Sequence, residues 1–118
     1  MPGHIRIKAR GRTVRRVPGQ PNKLEQQYGD YLALRKHAGE ILQYEFDSVR
    51  LRLAANTYYT PDFFVMLADG TIELHEVKGF WEDDARVKIK MAARLYPFLF
   101  VAAQRKRGMW EFESFGGE

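Results

Sequence analysis

The stretch YYTPDFFVMLADGTIELHEVKGF, from Tyr58 to Phe80, reads as two strands joined by a tight turn. Two β-rich runs flank Ala68-Asp69-Gly70, and an Asp-Gly step between such runs is a strong hairpin signal. Pro61 has no N–H to give a ladder, so it marks a strand start or a bulge. Gly79 closes the second strand. Side chains alternate between faces along a strand. Ile72, Leu74, Glu76 and Lys78 therefore share one face, and Thr71, Glu73, His75 and Val77 share the other. Two apolar residues followed by a Glu and a Lys mean that the sheet runs from a core into a place that needs charge. The first strand supplies Asp62, Phe64 and Met66 on one face. A tight turn then brings Asp62 to the Glu76–Lys78 end of its neighbour.

An Asp, a Glu and a Lys at the open end of a hairpin suit phosphodiester hydrolysis. Carboxylates bind a hard divalent cation through oxygen, and Mg²⁺ needs only one or two of them besides water and phosphate. The cation polarises the phosphoryl oxygen and activates water, while a lysine steadies developing negative charge. The plainer alternative is a surface salt bridge between Glu76 and Lys78, with Asp62 capping a turn after Pro61. His75 points away from Glu76 and reads as structural or solvent-exposed. Trp81 reads as core, with stacking on a base as the alternative.

Working outward, Asn22 is a good helix N-cap, and Glu25 stands three residues later, as a capping box requires. Leu24, Tyr28, Tyr31, Leu32 and Leu34 fall largely on one helical face, and Gly39 is a plausible stop. ILQYEF and SVRLRL read as short strands, with Val49, Leu51 and Leu53 inward and Arg50 and Arg52 outward. A second helix is predicted from Glu82 to Tyr96, with Ala85, Ile89, Ala92 and Tyr96 as its buried stripe and Asp83 and Asp84 favouring its start. Arg86, Lys90 and Arg94 form a basic stripe upon it, either a solvated face or, for Arg86 and Lys90, a phosphate contact. FLFVAA reads as a buried parallel strand. The stretch from Trp110 to Phe115 reads as a further strand. The predicted order is helix, a meander of three or four strands, helix, strand.

The 118 residues suit one domain with one core. The chain has no cysteine, which excludes disulfides, thiolate catalysis and sulfur-based zinc sites. That absence fits a cytoplasmic protein. No apolar run approaches the ~20 residues that span a bilayer. The N-terminus lacks the apolar region of a secretory signal, and Gly3, Gly11, Pro18, Gly19 and Pro21 break any amphipathic transit helix. Charge is uneven. Residues 1–23 hold seven basic side chains (Arg6, Lys8, Arg10, Arg12, Arg15, Arg16 and Lys23) and no acid, while the rest sums to −3. Residues 1–21 are accordingly read as a basic arm, part of which could form an edge strand, and 22–118 as the body. A polyanion is the natural partner of such an arm. A solubilising tail, RNA or an acidic protein are the alternatives.

YTPDFFV followed by HEVKG resembles the PD-(D/E)XK nuclease superfamily, the match being Pro61-Asp62 and Glu76-Val77-Lys78. From LEQQY through VRLRL, HEVKGFWEDDARVKIK and LYP, the chain also resembles small phage-encoded nucleases, including Holliday junction resolvase-like proteins. The resemblance covers roughly residues 22–103. It implies an α/β fold, a restriction-endonuclease-like αβββαβ core with a central mixed sheet flanked by helices. It implies Mg²⁺ or Mn²⁺ as cofactor, held by Asp62, Glu76 and the Val77 backbone carbonyl, with Lys78 as the catalytic lysine. Many members add an acid from the first helix. Glu25 is the matching position, its other role being the cap, and Glu45 competes.

The expected function is thus a DNA endonuclease acting on duplex or branched DNA. Arg6, Lys8, Arg10, Arg12, Arg15, Arg16, Arg86 and Lys90 are expected to bind the DNA. So short a chain should read shape and backbone rather than a long sequence. A homodimer making paired cuts is expected, with Trp110, Phe112 and Phe115 as its apolar patch; the alternative is that these rings cover their own sheet. A binding module that lost catalysis, and a subunit active only within a recombination or packaging assembly, are the competing classes.

Overall fold

A computed structural model describes residues 20–81 and 83–117, and residues 5–7 by their backbone. The elements run β1 (Ile5–Ile7), α1 (Lys23–His37), β2 (Ile41–Phe46), β3 (Val49–Ala54), β4 (Thr57–Tyr59), β5 (Phe63–Leu67), β6 (Ile72–Lys78), α2 (Asp83–Leu95), β7 (Leu99–Lys106) and β8 (Met109–Gly116). Five strands form a mixed sheet in the order β2-β5-β6-β7-β8, and β1, β3 and β4 form a second sheet in the order β1-β3-β4. Among the described strands of the larger sheet, β6 and β7 pair parallel, α2 making the crossover between them, and the other pairs are antiparallel.

Both faces of the five-stranded sheet are covered. α1 lays Tyr28 and Leu32 on one face, against Ile41, Phe63, Val65, Val77 and Ala103. α2 and the inner side of the small sheet cover the other, where Leu51, Tyr59, Leu74, Ile89, Ala92 and Phe100 meet. Alternation in β3 buries Val49, Leu51 and Leu53 against that core. Among the described residues no helix is long and apolar enough to cross a membrane.

Local chemistry fixes the joints. Asn22 Oδ1 accepts the Glu25 N–H at 2.8 Å and the Asn22 N–H reaches Glu25 Oε1 at 2.9 Å, a complete capping box. The β5–β6 turn is closed by Gly70, whose φ of +89° is a left-handed conformation that glycine adopts without steric cost. Asp69 adds a side-chain bond to the Thr71 N–H at 2.9 Å.

Several expectations need correction. SVRLRL is a strand but leaves the main sheet. β3 turns back on β4, a short strand not anticipated, so the stretch between the helices carries five strands in two sheets rather than one meander. Leu34 is 70% exposed, because at ~100° per residue it stands on the opposite side of α1 from Leu32. The second helix spans Asp83–Leu95; Tyr96 follows it, buried, its hydroxyl donating to the Arg52 carbonyl at 2.8 Å. The three C-terminal rings do not make one patch. Trp110 packs edge-on to Tyr28 and Phe112 lies beside Tyr31, both on the α1 face, whereas Phe115 meets Trp81 on the α2 face. Trp81 thereby belongs to the core periphery.

The two faces of α1 generate a direct test. Leu32→Ala should destabilise the fold by about 2–5 kcal/mol, the range for a buried leucine. Leu34→Ala should change stability by under about 0.5 kcal/mol. Urea denaturation of the two variants measures both, and equal effects would contradict this packing.

Candidate active site

β5 and β6 pair antiparallel with Phe63 opposite His75 and Phe64 opposite Leu74. One step further along this register, Asp62 lies opposite Glu76. The Asp62 carboxylate turns onto β6 and takes the Val77 N–H on Oδ2 at 2.8 Å. The next position would set Pro61 opposite Val77. In an antiparallel pair one residue offers its N–H and C=O to the same partner. Pro61 has no N–H to give the Val77 carbonyl.

Glu76 is buried and held at both oxygens. The Tyr59 hydroxyl donates to Oε1 at 2.7 Å, and the Lys78 ammonium stands 3.0 Å from Oε2. The Glu76–Lys78 ion pair of the plainer sequence reading is therefore real, and it is part of this cluster rather than an exposed pair. Tyr59 received no role from the sequence, although it opens the YTPDFFV run. Its position in β4, facing the core shared with Leu74, is what points it at Glu76. Burial, then the nearby Glu76 charge, pushes its hydroxyl well above the ordinary tyrosine range, so it stays a donor.

α1 brings the third carboxylate. Its first turn lies beside the end of β6, where a side chain on Gly79 would touch Leu24 at 3.8 Å. Glu25 closes the capping box and also stands near enough to Asp62 for its charge to raise that carboxyl. The capping-box role of Glu25 is thus observed, and it leaves the side chain near Asp62. Burial first, then Glu76, then Glu25, raise the Asp62 carboxyl from its ordinary 3.8 to about 8, against the opposing bond from Val77. Glu45, the competitor, lies opposite Phe64 on β2 with the Gln43 amide 3.4 Å away.

All donors in this cluster are oxygens, and crowded carboxylates with one lysine leave room for more positive charge. That fits a hard cation held by Asp62 and Glu76, with the Val77 carbonyl beside them. Among the described residues no three or more His, Asp or Glu side chains form a ready-made metal cage. Mg²⁺ does not require one, since it keeps several waters.

The other predicted site residues are placed differently. Arg86 is engaged within its own chain, 2.7 Å from Glu113 on β8 and stacked over Trp81 at 4.7 Å. Lys90 is exposed and lines an open groove with Arg94, Tyr96, Pro97 and Phe115. Arg6 lies in β1, known by its backbone alone; Lys8, Arg10, Arg12, Arg15 and Arg16 lie outside the described residues. His75 is buried on the α1 face, and so is structural rather than exposed. It accepts from the Tyr28 hydroxyl at Nδ1, 2.6 Å away, and reaches Glu73 from Nε2 at 2.9 Å. A neutral ring protonated at Nε2 satisfies both bonds.

No family model, curated protein or solved structure matches this chain.

The raised Asp62 carboxyl predicts how stability varies with pH. Between the unfolded value of 3.8 and about 8, the folded chain keeps a proton that the unfolded chain has lost. The stability this contributes is full below the unfolded value and is lost as pH rises through the folded one. Asp62→Asn has no carboxyl to ionise. Its melting temperature in chelator should therefore fall less than that of the wild type between about pH 5 and about pH 9. Parallel curves would show that Asp62 does not carry this coupling.

Proposed function

We propose that this protein is a Mg²⁺-dependent DNA endonuclease of the PD-(D/E)XK type. The observation that carries the reading is the convergence of Asp62, Glu76, Lys78 and Glu25 at one end of the β5–β6 pair. The order α1, β2, β5, β6, α2, β7 supports it, since setting aside β1, the β3–β4 excursion and β8 leaves an αβββαβ arrangement around a mixed sheet. Asp62 and Glu76 would hold the cation, Mg²⁺ or Mn²⁺, beside the Val77 carbonyl. When bound, it supplies Lewis-acid polarisation of the phosphoryl group. The Val77 N–H holds the Asp62 carboxylate in place, and Tyr59 holds Glu76. Lys78, beside Glu76, is set to steady the negative charge that grows on phosphate oxygens as the bond breaks. The substrate on this reading is duplex or branched DNA, a Holliday junction among the candidates, cut by a homodimer with one site on each strand.

A second reading has an observation of its own. Both Glu76 oxygens are already engaged by Tyr59 and Lys78, which suits a DNA-binding subunit without catalysis, or one that cuts only within an assembly. Cleavage of linear duplex, single strand, flap and four-way junction, with and without Mg²⁺, separates the two.

On the leading reading, Asp62→Asn and Glu76→Gln each abolish cleavage while DNA binding survives, and Mg²⁺-dependent activity near wild type in either variant would remove the assignment. Deleting residues 1–20 removes six basic side chains. It should flatten the plot of log affinity against log salt by about 0.9 for each phosphate that the arm no longer neutralises. An unchanged slope would show that the arm does not touch the backbone.

A further inference from the structure

We propose that the outer face of the β1-β3-β4 sheet, presenting Arg50, Arg52 and Tyr58, is a binding surface for the phosphate backbone of DNA. This rests on DNA being the partner, but not on the chain being a nuclease. β3 turns Val49, Leu51 and Leu53 into the core, which leaves Arg50 and Arg52 on the opposite face, both half-exposed. Register places Tyr58 opposite Arg52, and the Arg50 guanidinium lies over the Tyr58 ring, 3.8 Å from its centre.

Three features separate this face from an ordinary solvated strand. The first is uncompensated charge. Residues 48–61 hold two arginines and no acid. Among the described residues no carboxylate forms an ion pair with either guanidinium. Like charges so close on one face repel, and a polyanion relieves that repulsion while releasing its own counterions.

The second feature is position in the sheet. Charged residues on an edge strand guard against unwanted pairing, but β3 is the central strand, paired on both sides. Edge protection therefore does not explain these arginines. One of those partners is β1, with Arg6 opposite Arg50 in register, so the start of the basic arm is joined to this sheet.

The third feature is proximity to the carboxylates. Tyr58 precedes Tyr59, the residue bonded to Glu76, and Asp62 follows four positions after Tyr58. Four residues span at most roughly 14 Å. Adjacent strand residues face opposite ways, so this surface and the Asp62–Glu76 cluster flank β4 from its two faces. The arginine head suits the task, because its planar fork engages phosphate oxygens in pairs.

The test uses the full-length chain and a fluorescent duplex DNA, titrated in chelator over a series of salt concentrations. For Arg50→Gln/Arg52→Gln we expect weaker binding and a log–log salt slope shallower by about 1.8, two phosphates at about 0.9 each. Lys36→Gln/Arg107→Gln removes the same charge elsewhere and should leave the slope unchanged. A wild-type slope in the first variant overturns the proposal. So does an equal loss in the control, which would report net charge only, and so does a wild-type chain that binds no duplex. Cleavage is read separately. Binding through this face without cleavage would overturn the nuclease reading and leave this surface standing, whereas cleavage with an unchanged slope would do the reverse.

Discussion

The register of β5 on β6 is the constraint on which the rest of the site depends. Because Phe63 is opposite His75, Asp62 falls opposite Glu76 at the end of the pair. A slip of one residue would send each side chain of β5 to the other face. Such a slip is prevented three times over. The Asp69-Gly70 turn sets the loop length. Phe63 and Val65 are buried under α1, and Phe64 packs against the core under α2. The sheet is therefore gripped from both sides, and the charged end of the hairpin is held by an apolar body that cannot shift without exposing one core or the other.

Around that end, each charge is fixed by a neighbour from a different part of the chain. β4 contributes Tyr59 to Glu76 and the β6 backbone contributes the Val77 N–H to Asp62, while the N-terminus of α1 sets the like charge of Glu25 near Asp62. Asp62 is the carboxyl that bears the cost of this crowding, since burial and two carboxylates act on it while Lys78 is paired to Glu76. A site with this imbalance is stable with a proton or with a cation, and the two compete. Metal ligands must be deprotonated to bind, so on the proposed reading a cation held here would displace the Asp62 proton.

The reverse face of the same strand shows how one sequence run serves two purposes. His75 and Glu73 alternate with Leu74 and Glu76, and they form with Tyr28 a buried chain of hydrogen bonds between α1 and the sheet. Those bonds satisfy polar groups that would otherwise be costly to bury, and so help to lock α1 in the place from which Glu25 reaches Asp62. The small sheet plays the matching part on the other side, with one face supplying Leu51 and Tyr59 to the core and the other carrying Arg50 and Arg52 outward.

The sequence by itself determined the elements whose causes are local. The capping box at Asn22 and Glu25, the Asp-Gly hairpin, the alternation of Val49, Leu51 and Leu53 and the buried stripe of Ile89, Ala92 and Tyr96 are all short-range patterns. Each places residues a few positions apart on one face. The hairpin also made the meeting of Asp62, Glu76 and Lys78 legible, because the two strands are joined by a turn whose geometry is nearly fixed by its residues. What only the tertiary structure decided was how separate segments share space. Nothing in VRLRL says that it pairs with β4 and β1 instead of β2, since its period is the same in either sheet. Nothing in TYY says that Tyr59 meets Glu76, because that contact closes across two sheets. Trp110 and Phe115 look like one aromatic patch in sequence, yet an odd spacing on a strand sends them to opposite faces. Arg86 looks free for phosphate until β8 brings Glu113 against it. Contacts between distant segments depend on which faces find each other in the core, and a single strand's pattern gives its period but not its neighbour.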